Sequence, residues 1–336
     1  MTPHFVLRGA LALAAALLVS VPAQAQLFRA YLAIDGNDAN PCTLPQPCRL
    51  LPAALGAVAD GGEIWLLDSA NYNTATVNIA KSVTILAVPG AVGSILANGS
   101  PAVFIDTAGV NVALRNIVIV RFPGSAVTYG INMTNGSSLT VEGSLVSGPS
   151  DACIRVEGAV SVRVIDSTIR CDGYGIQVRN GVSATITRSV ISAPVGYAVA
   201  AEGSAAGTTT TASVADSTLQ GSGVGGYAGS TNATATAILA VGGSQVDRNG
   251  FGLQASSSAG GAARLTARDN LITNGQFYGI QVTGAGARAW AAGNTVSDGL
   301  FGLAAESGGV FESAGDNAVR NNGTNKSGTI AVVAME

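Results

Sequence analysis

Five polar residues between positions 155 and 202 have the chemical types needed to bind, or to act on, an acidic ligand. They are Arg155, Glu157, Gln177, Arg179 and Glu202. An arginine can neutralise a carboxylate through paired hydrogen bonds, and a correctly placed arginine or glutamate can take part in proton transfer. We therefore treat Arg155, Glu157 and Arg179 as candidate catalytic residues, and Arg155, Gln177, Arg179 and Glu202 as candidate substrate-binding residues.

The same side chains also have a purely structural explanation. Glu157, Arg179 and Glu202 would alternate in sign on neighbouring strands, and opposite charges that face each other across strands stabilise a sheet. The sequence leaves both explanations open, because it places these residues on one surface without showing whether a ligand contacts them.

The elements that position these residues come from a repeat that begins near residue 110. In each copy, alternating apolar residues lead to an Asn or Ser, and successive members of this column lie 22 to 28 residues apart. A repeat of that length with period-two strands predicts an all-β fold, a right-handed parallel β-helix of about ten coils. The column is expected to satisfy backbone groups at a corner, and it comprises Asn116, Ser144, Ser167, Ser189, Ser217, Ser244, Asn270, Asn294 and Asn317.

A second column in the repeat is aromatic and lies at the start of the strand that follows each loop. Exposed rings could stack on sugar rings. However, Tyr174, Ile176 and Val178 occupy alternate positions of one strand and therefore face the same side, which is the core if the isoleucine and valine point inward. The alternation along the strand therefore predicts that the aromatic rings point into the core. The column comprises Tyr129, Tyr174, Tyr197, Tyr227, Phe251, Tyr278 and Phe301.

The N-terminus has the features of a secretory signal peptide covering residues 1–25. Arg8 precedes an apolar run from Gly9 to Val21, and a small-residue cleavage signal ends at Ala25. The run is shorter than the ~20 residues that a transmembrane helix needs, so no transmembrane segment is predicted. We expect the protein to be secreted, periplasmic or at the cell surface after cleavage.

The cysteines and charges restrict the chemistry further. Cys42 and Cys48 flank a proline-rich loop and are expected to pair, whereas Cys153 and Cys171 would form either a second disulfide or two buried thiols. The single histidine, His4, lies in the predicted signal peptide, which leaves no imidazole for catalysis or metal binding. A net charge of −3 provides no basic surface for nucleic acid.

The segment before the repeat is expected to close one end of the core. We assign residues 26–62 to an N-terminal segment with a capping helix over 49–59, and residues 63–336 to the β-helix. Oxygen-bearing side chains at Asp35, Asn37, Asp38 and Asn40 could ligate calcium, but the loop lacks the distal glutamate of known calcium loops. We therefore assign no metal or cofactor and keep calcium at this loop as an untested option.

The stretch from residue 31 to 90 resembles the opening of secreted pectin-lyase-fold proteins. IDGNDANPCTLPQPCR is similar to their G-x-D-x-N-P-C … P-C-R segment, and GGEIWLLDSANY and IAKSVTILAVPG are similar to the strands that follow it. The resemblance implies a secreted right-handed parallel β-helix. It implies no particular activity, because the fold carries lyases, hydrolases, esterases, epimerases, adhesins and proteins without known chemistry.

Two hypotheses about function follow from the sequence. The first is a non-catalytic exported β-helix that presents a surface to an extracellular polysaccharide or to a surface protein. The alternative is a polysaccharide lyase or hydrolase that acts on acidic glycans through Arg155, Glu157 and Arg179. The absence of histidine after residue 4 and the scarcity of lysine favour the first hypothesis.

Overall fold

The chain winds into three parallel sheets of short strands. The structure, a computed structural model, describes residues 26–98 and 101–333. These residues form a right-handed β-solenoid of about eleven turns with a single short helix, which confirms the predicted all-β fold. The predicted signal peptide over 1–25 lies outside the described residues.

Sheet A is built from strands in which every second residue is buried. In the strand Ser161–Ile165, Val162 and Val164 face the core while Arg163 faces solvent. Parallel pairing in matching register then stacks buried residues on buried residues. Strands are numbered in chain order across all three sheets. The thirteen strands of sheet A in the described residues are β1 (Leu27–Leu32), β2 (Val58–Leu66), β5 (Val83–Ala87), β8 (Asn111–Arg115), β11 (Ser138–Glu142), β14 (Ser161–Ile165), β17 (Ser183–Thr187), β20 (Thr209–Ala215), β23 (Thr236–Gly242), β26 (Ala262–Arg268), β29 (Ala287–Ala292), β32 (Val310–Ser313) and β35 (Ile330–Val332).

Sheet B carries the candidate site residues on its outer face. Its strands start after a loop, so the first residue of each strand lies at a corner of the solenoid. The eleven strands of this sheet in the described residues are β4 (Val77–Asn78), β7 (Val103–Asp106), β10 (Tyr129–Asn135), β13 (Ala152–Glu157), β16 (Tyr174–Arg179), β19 (Tyr197–Gly203), β22 (Val224–Ser230), β25 (Phe251–Ser257), β28 (Tyr278–Thr283), β31 (Phe301–Glu306) and β34 (Thr324–Ser327).

Sheet C contains short strands, most of which bury a single central residue. In the strand Thr168–Arg170, for example, Ile169 is buried between two more exposed neighbours. The eleven strands of this sheet in the described residues are β3 (Ala70–Asn71), β6 (Gly93–Ala97), β9 (Ile117–Arg121), β12 (Leu145–Ser147), β15 (Thr168–Arg170), β18 (Val190–Ser192), β21 (Thr218–Gln220), β24 (Gln245–Asp247), β27 (Leu271–Thr273), β30 (Thr295–Ser297) and β33 (Ala318–Arg320).

A helix closes the N-terminal end of the core. Helix α1 spans Leu51–Ala57 and buries Leu51, Ala54 and Leu55 against the first strands. It is shorter than the predicted 49–59, because a proline sits in its first turn, where proline is tolerated, and Val58 already belongs to β2. One hydrophobic core then continues from this cap through the stacked turns.

The Asn/Ser column forms the predicted corner ladder. Ser167 Oγ accepts a hydrogen bond of 3.2 Å from the backbone N–H of Ser144 in the preceding turn. Further along, Asn294 Oδ1 accepts from the backbone N–H of Asn270 at 3.1 Å and from its side chain at 2.9 Å. The side chains thus pair buried backbone groups that would otherwise lack partners.

Two disulfides are present. Cys42 pairs with Cys48, and Cys153 pairs with Cys171, which decides against two buried thiols. Within the described residues no cysteine is free. Disulfides are typical of proteins exported to an oxidising compartment.

Candidate functional site

The register of sheet B brings the five predicted site residues together. Arg155 of β13 lies beside Gln177 of β16, and Glu157, Arg179 and Glu202 lie in one row across β13, β16 and β19. These are the neighbours that the repeat predicted. Their roles in binding or catalysis stay predictions.

The prediction that the aromatic column points into the core is wrong. Each of its seven rings is only half-buried. Tyr174 directs its hydroxyl to Glu202 on the outer face, at 3.4 Å from Oε1. Its ring stacks on that of Tyr197, with centroids 5.1 Å apart and planes inclined by 18°.

A bend at Gly175 explains the error. A Cβ at this position would run into the side chain of Ile191 in sheet C and into the carbonyl oxygen of Ala198, so Gly175 faces inward. Ile176 is buried as well, which means that two consecutive residues face the core. The alternation is therefore broken after Tyr174, and the ring turns outward.

Tyr227 was also placed in the wrong column. Val224, and not Tyr227, pairs with Tyr197 at the corner, whereas Tyr227 pairs with Ala200 at an outward position further along the strand. Its ring reaches back to Tyr197, with centroids 4.7 Å apart. Gly229 leaves room for this ring, since a Cβ there would overlap it.

The outward tyrosines and the polar row form a shallow pocket of about 260 Å³. We call it the Glu202 site. Its principal side chains are Tyr174, Gln177, Arg179, Glu202, Ser204 and Tyr227.

Glu202 is the most heavily contacted group in this pocket. Its Oε2 accepts a hydrogen bond of 2.8 Å from Gln177 Nε2 and forms an ion pair with Arg179 Nε at 3.4 Å. Its Oε1 accepts from Tyr174. Three different side chains therefore fix the carboxylate in one position.

Among the described residues, only part of the hydrogen-bonding capacity of Arg179 is used by protein groups. Its Nη2 donates to Ser204 Oγ at 3.2 Å. Its Nε is buried and lies at ion-pair distance from Glu202, but the two are out of line for a hydrogen bond. A guanidinium has five N–H donors, so several remain for a ligand.

Arg155 and Glu157 form a neighbouring pair. Arg155 Nη2 lies 3.1 Å from Glu157 Oε2, and its guanidinium lies over the Tyr129 ring at 5.3 Å from the centroid. Within the described residues Glu157 forms no ion pair with Arg179 and instead accepts a hydrogen bond from Asn180. The predicted charge ladder is thus interrupted between the first and second strands.

The tyrosine hydroxyls of the Glu202 site remain protonated at neutral pH. Burial raises the pKa of Tyr174, and the nearby Glu202 carboxylate raises it further. Burial also raises the pKa of Tyr197 and of Tyr227. The hydroxyls of Tyr197 and Tyr227 can therefore donate hydrogen bonds to a ligand at physiological pH, whereas that of Tyr174 already donates to Glu202.

The oxygen-bearing loop proposed for calcium uses its side chains internally. Asp38 Oδ1 accepts from the backbone N–H groups of Arg49 and Leu50, each at 2.8 Å, and Asn40 donates to the carbonyl of Pro47. In the described part of the chain no group of three or more His, Cys, Asp or Glu residues is arranged to hold a metal ion. Nor does any helix there have the length and apolar character to cross a membrane.

The sequence did not identify Asn180 and Ser204 as site residues, and Tyr227 was assigned to the inward-facing column instead of the site. Ser204 and Tyr227 lie beside Arg179 because neighbouring turns pack against each other. The alternation of inward and outward residues within one strand does not reveal such contacts. Asn180 adopts a left-handed backbone conformation with a φ of 52°. An asparagine followed by glycine directly after a strand is a turn signal that could have identified it.

Solved structures with a similar fold include several proteins named for polysaccharide chemistry. Endo-xylogalacturonan hydrolase from Aspergillus tubingensis has a TM-score of 0.56 and 14% identity, covering 92% of this chain and 100% of that one. The A-module of mannuronan C-5 epimerase AlgE4 from Azotobacter vinelandii has a TM-score of 0.55 and 11% identity, covering 82% and 91%. Pectate lyase Pel9A has a TM-score of 0.53 and 14% identity, covering 93% and 78%.

At these identities the similarity establishes the fold alone. No curated protein matches the sequence. The family model described as "Right handed beta helix region" matches residues 64–219 and 129–296, which together span more than half of the chain. With the solenoid, the corner ladder and this match in agreement, the chain belongs to the right-handed beta helix family.

Proposed function

We propose that this chain is an exported, non-catalytic protein that binds an acidic extracellular polysaccharide along the outer face of sheet B. The Glu202 site is the centre of this surface. The observation that carries the proposal is a polar floor of Gln177, Arg179 and Glu202 beside outward-facing stacked tyrosines.

The combination of groups matches the chemistry of a sugar. Sugar hydroxyls both donate and accept hydrogen bonds, and the amide of Gln177 and the carboxylate of Glu202 supply both partners. The apolar face of a sugar ring packs against aromatic rings such as those of Tyr174 and Tyr227. A few fixed polar groups among aromatic side chains are typical of small-molecule binding sites.

Arg179 favours an acidic sugar over a neutral one. Its unused N–H donors can bind a ligand carboxylate through charge-assisted hydrogen bonds. Proteins of similar fold are named for action on pectate, mannuronan and xylogalacturonan, which also supports a polysaccharide ligand.

The ion pairs support binding without catalysis. The strands that carry Glu157 and Glu202 are two steps apart in sheet B, about 9.6 Å, which would allow a carboxyl pair of the kind that inverting glycosidases use. That mechanism needs one carboxyl group that is free to approach the leaving oxygen, whereas each glutamate here is engaged by an arginine. Arg179, the candidate base of a lyase, is likewise engaged in an ion pair, with Glu202.

The proposed location is outside the cytoplasm, either secreted, periplasmic or at the cell surface. Two disulfides support it, as does the signal-peptide pattern in residues 1–25.

A glycan array followed by calorimetric titration tests the proposal. The probes are oligogalacturonides and alginate oligosaccharides as acidic glycans, and xylo-oligosaccharides as neutral ones. We expect binding to acidic probes that weakens by about tenfold in Arg179→Ala, as the loss of a charged hydrogen bond predicts. The matched control is Arg163→Ala, which removes the same charge from the exposed face of sheet A and should leave affinity unchanged.

Two results would overturn the proposal. One is the absence of binding to every acidic probe, or binding that Arg179→Ala leaves intact. The other is formation of unsaturated uronate or new reducing ends from these probes, abolished in Arg179→Ala or Glu202→Gln. That second result would establish the lyase or hydrolase alternative.

A further inference from the structure

We infer that sheet B holds a second sugar-binding subsite, formed by Tyr278, Gln281 and Glu306, that takes an uncharged residue of the same polysaccharide chain. We call it the Glu306 site. This inference rests on the proposed function, because it assumes that a glycan lies along the outer face of this sheet.

The Glu306 site repeats the Glu202 site at a constant distance in the sequence. The segment YGIQV occurs at 174–178 and again at 278–282, and AAE occurs at 200–202 and again at 304–306. Each residue of the second set therefore lies 104 residues after its counterpart. The same two-turn unit appears twice on one face of the solenoid.

The hydrogen bonds of the unit are repeated as well. Tyr278 donates to Glu306 Oε1 at 2.8 Å, and Gln281 Nε2 donates to Glu306 Oε2 at 2.8 Å. In the Glu202 site the corresponding tyrosine and glutamine contact the two oxygens of Glu202 in the same way. A sugar hydroxyl that fits the carboxylate and amide of the Glu202 site would therefore find the same pair of groups in the Glu306 site.

An additional amide extends the polar surface of the second site. Gln254 Nε2 donates to Gln281 Oε1 at 2.6 Å from the preceding turn. At the same point before the first site, Arg155 lies beside Gln177. The polar row leading to Glu306 is thus uncharged where the row leading to Glu202 carries a cation.

The aromatic surface is larger at the second site. Tyr278 stacks on both Phe251 and Phe301, with centroids 5.3 Å and 5.0 Å apart. Next to this stack, Phe277 and Leu300 leave 45% and 50% of their surface exposed. Exposed rings and apolar side chains beside fixed amides suit the apolar face of an uncharged sugar.

The charge of the second site selects against an acidic sugar. Thr283 occupies the position that Arg179 holds in the first site. Across the described ranges, Glu306 forms no ion pair with a basic side chain, whereas Glu202 pairs with Arg179. An uncompensated carboxylate repels a uronate but accepts hydrogen bonds from neutral hydroxyls.

The two sites are positioned for one linear ligand. The strands β16 and β28 are four steps apart in sheet B, which corresponds to about 19 Å along the solenoid axis. A glycan that reaches both sites would bind more tightly than either site alone, because its second contact is intramolecular.

The experiment compares polymeric xylogalacturonan with short oligogalacturonides and xylo-oligosaccharides by calorimetric titration. Gln281→Leu should weaken polymer binding by about tenfold and abolish xylo-oligosaccharide binding, while leaving short oligogalacturonides unaffected. Gln245→Leu, on the exposed side of sheet C, is the matched glutamine control. Glu306→Gln should raise the affinity for oligogalacturonides severalfold, an effect that a purely structural role of Glu306 would not produce.

The outcomes separate this inference from the proposed function. If Arg179→Ala weakens binding but Gln281→Leu behaves like Gln245→Leu with every probe, the second subsite is disproved and the first stands. If Glu306→Gln does not improve binding of oligogalacturonides, the charge selection is disproved. If neither Arg179→Ala nor Gln281→Leu changes binding, both proposals fail.

Discussion

Asn180 Nδ2 donates a hydrogen bond of 2.7 Å to Glu157 Oε1 in the preceding turn of the solenoid. Its Oδ1 accepts from the backbone N–H groups of Ser204 and Ala205 in the following turn, each at 2.9 Å. One side chain therefore fixes a glutamate of the candidate site and the loop that carries Ser204, which contacts Arg179.

Removing this amide should affect both stability and binding. We expect Asn180→Ala to lower the free energy of unfolding by about 1–3 kcal/mol, because it leaves backbone donors without partners. Affinity for oligogalacturonides should fall as Ser204 moves away from Arg179. Urea unfolding and calorimetric titration measure the two effects.

The control for Asn180→Ala is Asn321→Ala. Asn321 has the same left-handed backbone, with a φ of 58°, but lies exposed near the other end of the solenoid. If both variants lose the same stability, backbone strain rather than the hydrogen bonds would explain the effect.

The bend at Gly175 predicts that a larger residue at this position destabilises the protein. Gly175→Ala places a methyl group against Ile191 and the Ala198 carbonyl, and such overpacking costs about 1–3 kcal/mol. The melting temperature should fall and Tyr174 should shift. Gly56→Ala, in helix α1 with open space around it, should be neutral or stabilising. Equal melting temperatures for the two variants would contradict this account of the bend.

The two disulfides should differ in their contribution. The 18-residue separation of Cys153 and Cys171 corresponds to about 3 kcal/mol of loop entropy, and the 6-residue separation of Cys42 and Cys48 to about 2 kcal/mol. Replacing each pair by alanine and measuring urea unfolding tests the order. A larger loss for the 42–48 pair would show that contacts, and not loop length, set the difference.

Acid should weaken the attachment of the first strand. The hydrogen bond from Arg29 holds the pKa of Glu63 below its usual value. Because the pKa of Glu63 is lower in the folded state, its ionised form stabilises the fold at pH values above the unfolded-state pKa, near 4.5. This stability is lost as the pH falls through the folded-state pKa. The stability difference between wild type and Glu63→Gln should therefore shrink between neutral pH and about pH 3.

The matched control for this pH series is Glu312→Gln. Glu312 lies exposed on the same sheet and, within the described residues, forms no ion pair. Urea midpoints measured across the pH range provide the comparison. A difference for Glu63→Gln that stays constant with pH would rule out the ion pair as its source.

The sequence predicted the fold well because the repeat is regular. The alternation of Val162 and Val164 fixes which face is buried, and the spacing of the Asn/Ser column fixes the register that brings Gln177 beside Arg155. These features are local and recur in the turns that follow residue 110.

The orientation of the tyrosines could not be predicted from parity. It depends on the bend at Gly175, a position where any Cβ would collide with Ile191, a residue of another sheet. Glu306 was not among the predicted site residues, because Thr283 stands where an arginine would have drawn attention. Both errors concern contacts between turns rather than patterns within a strand.

The corner ladder also adds to the hydrogen bonds that resist mechanical load along the solenoid axis. In the serine half, a rung such as Ser167 receives one backbone hydrogen bond from the turn before it. In the asparagine half, Asn294 receives two from Asn270 and also donates to the carbonyl of Ala267. Outside the turns that the Cys153–Cys171 disulfide joins, tension along the axis would therefore meet fewer corner hydrogen bonds in the serine-linked turns than in the asparagine-linked turns around the Glu306 site.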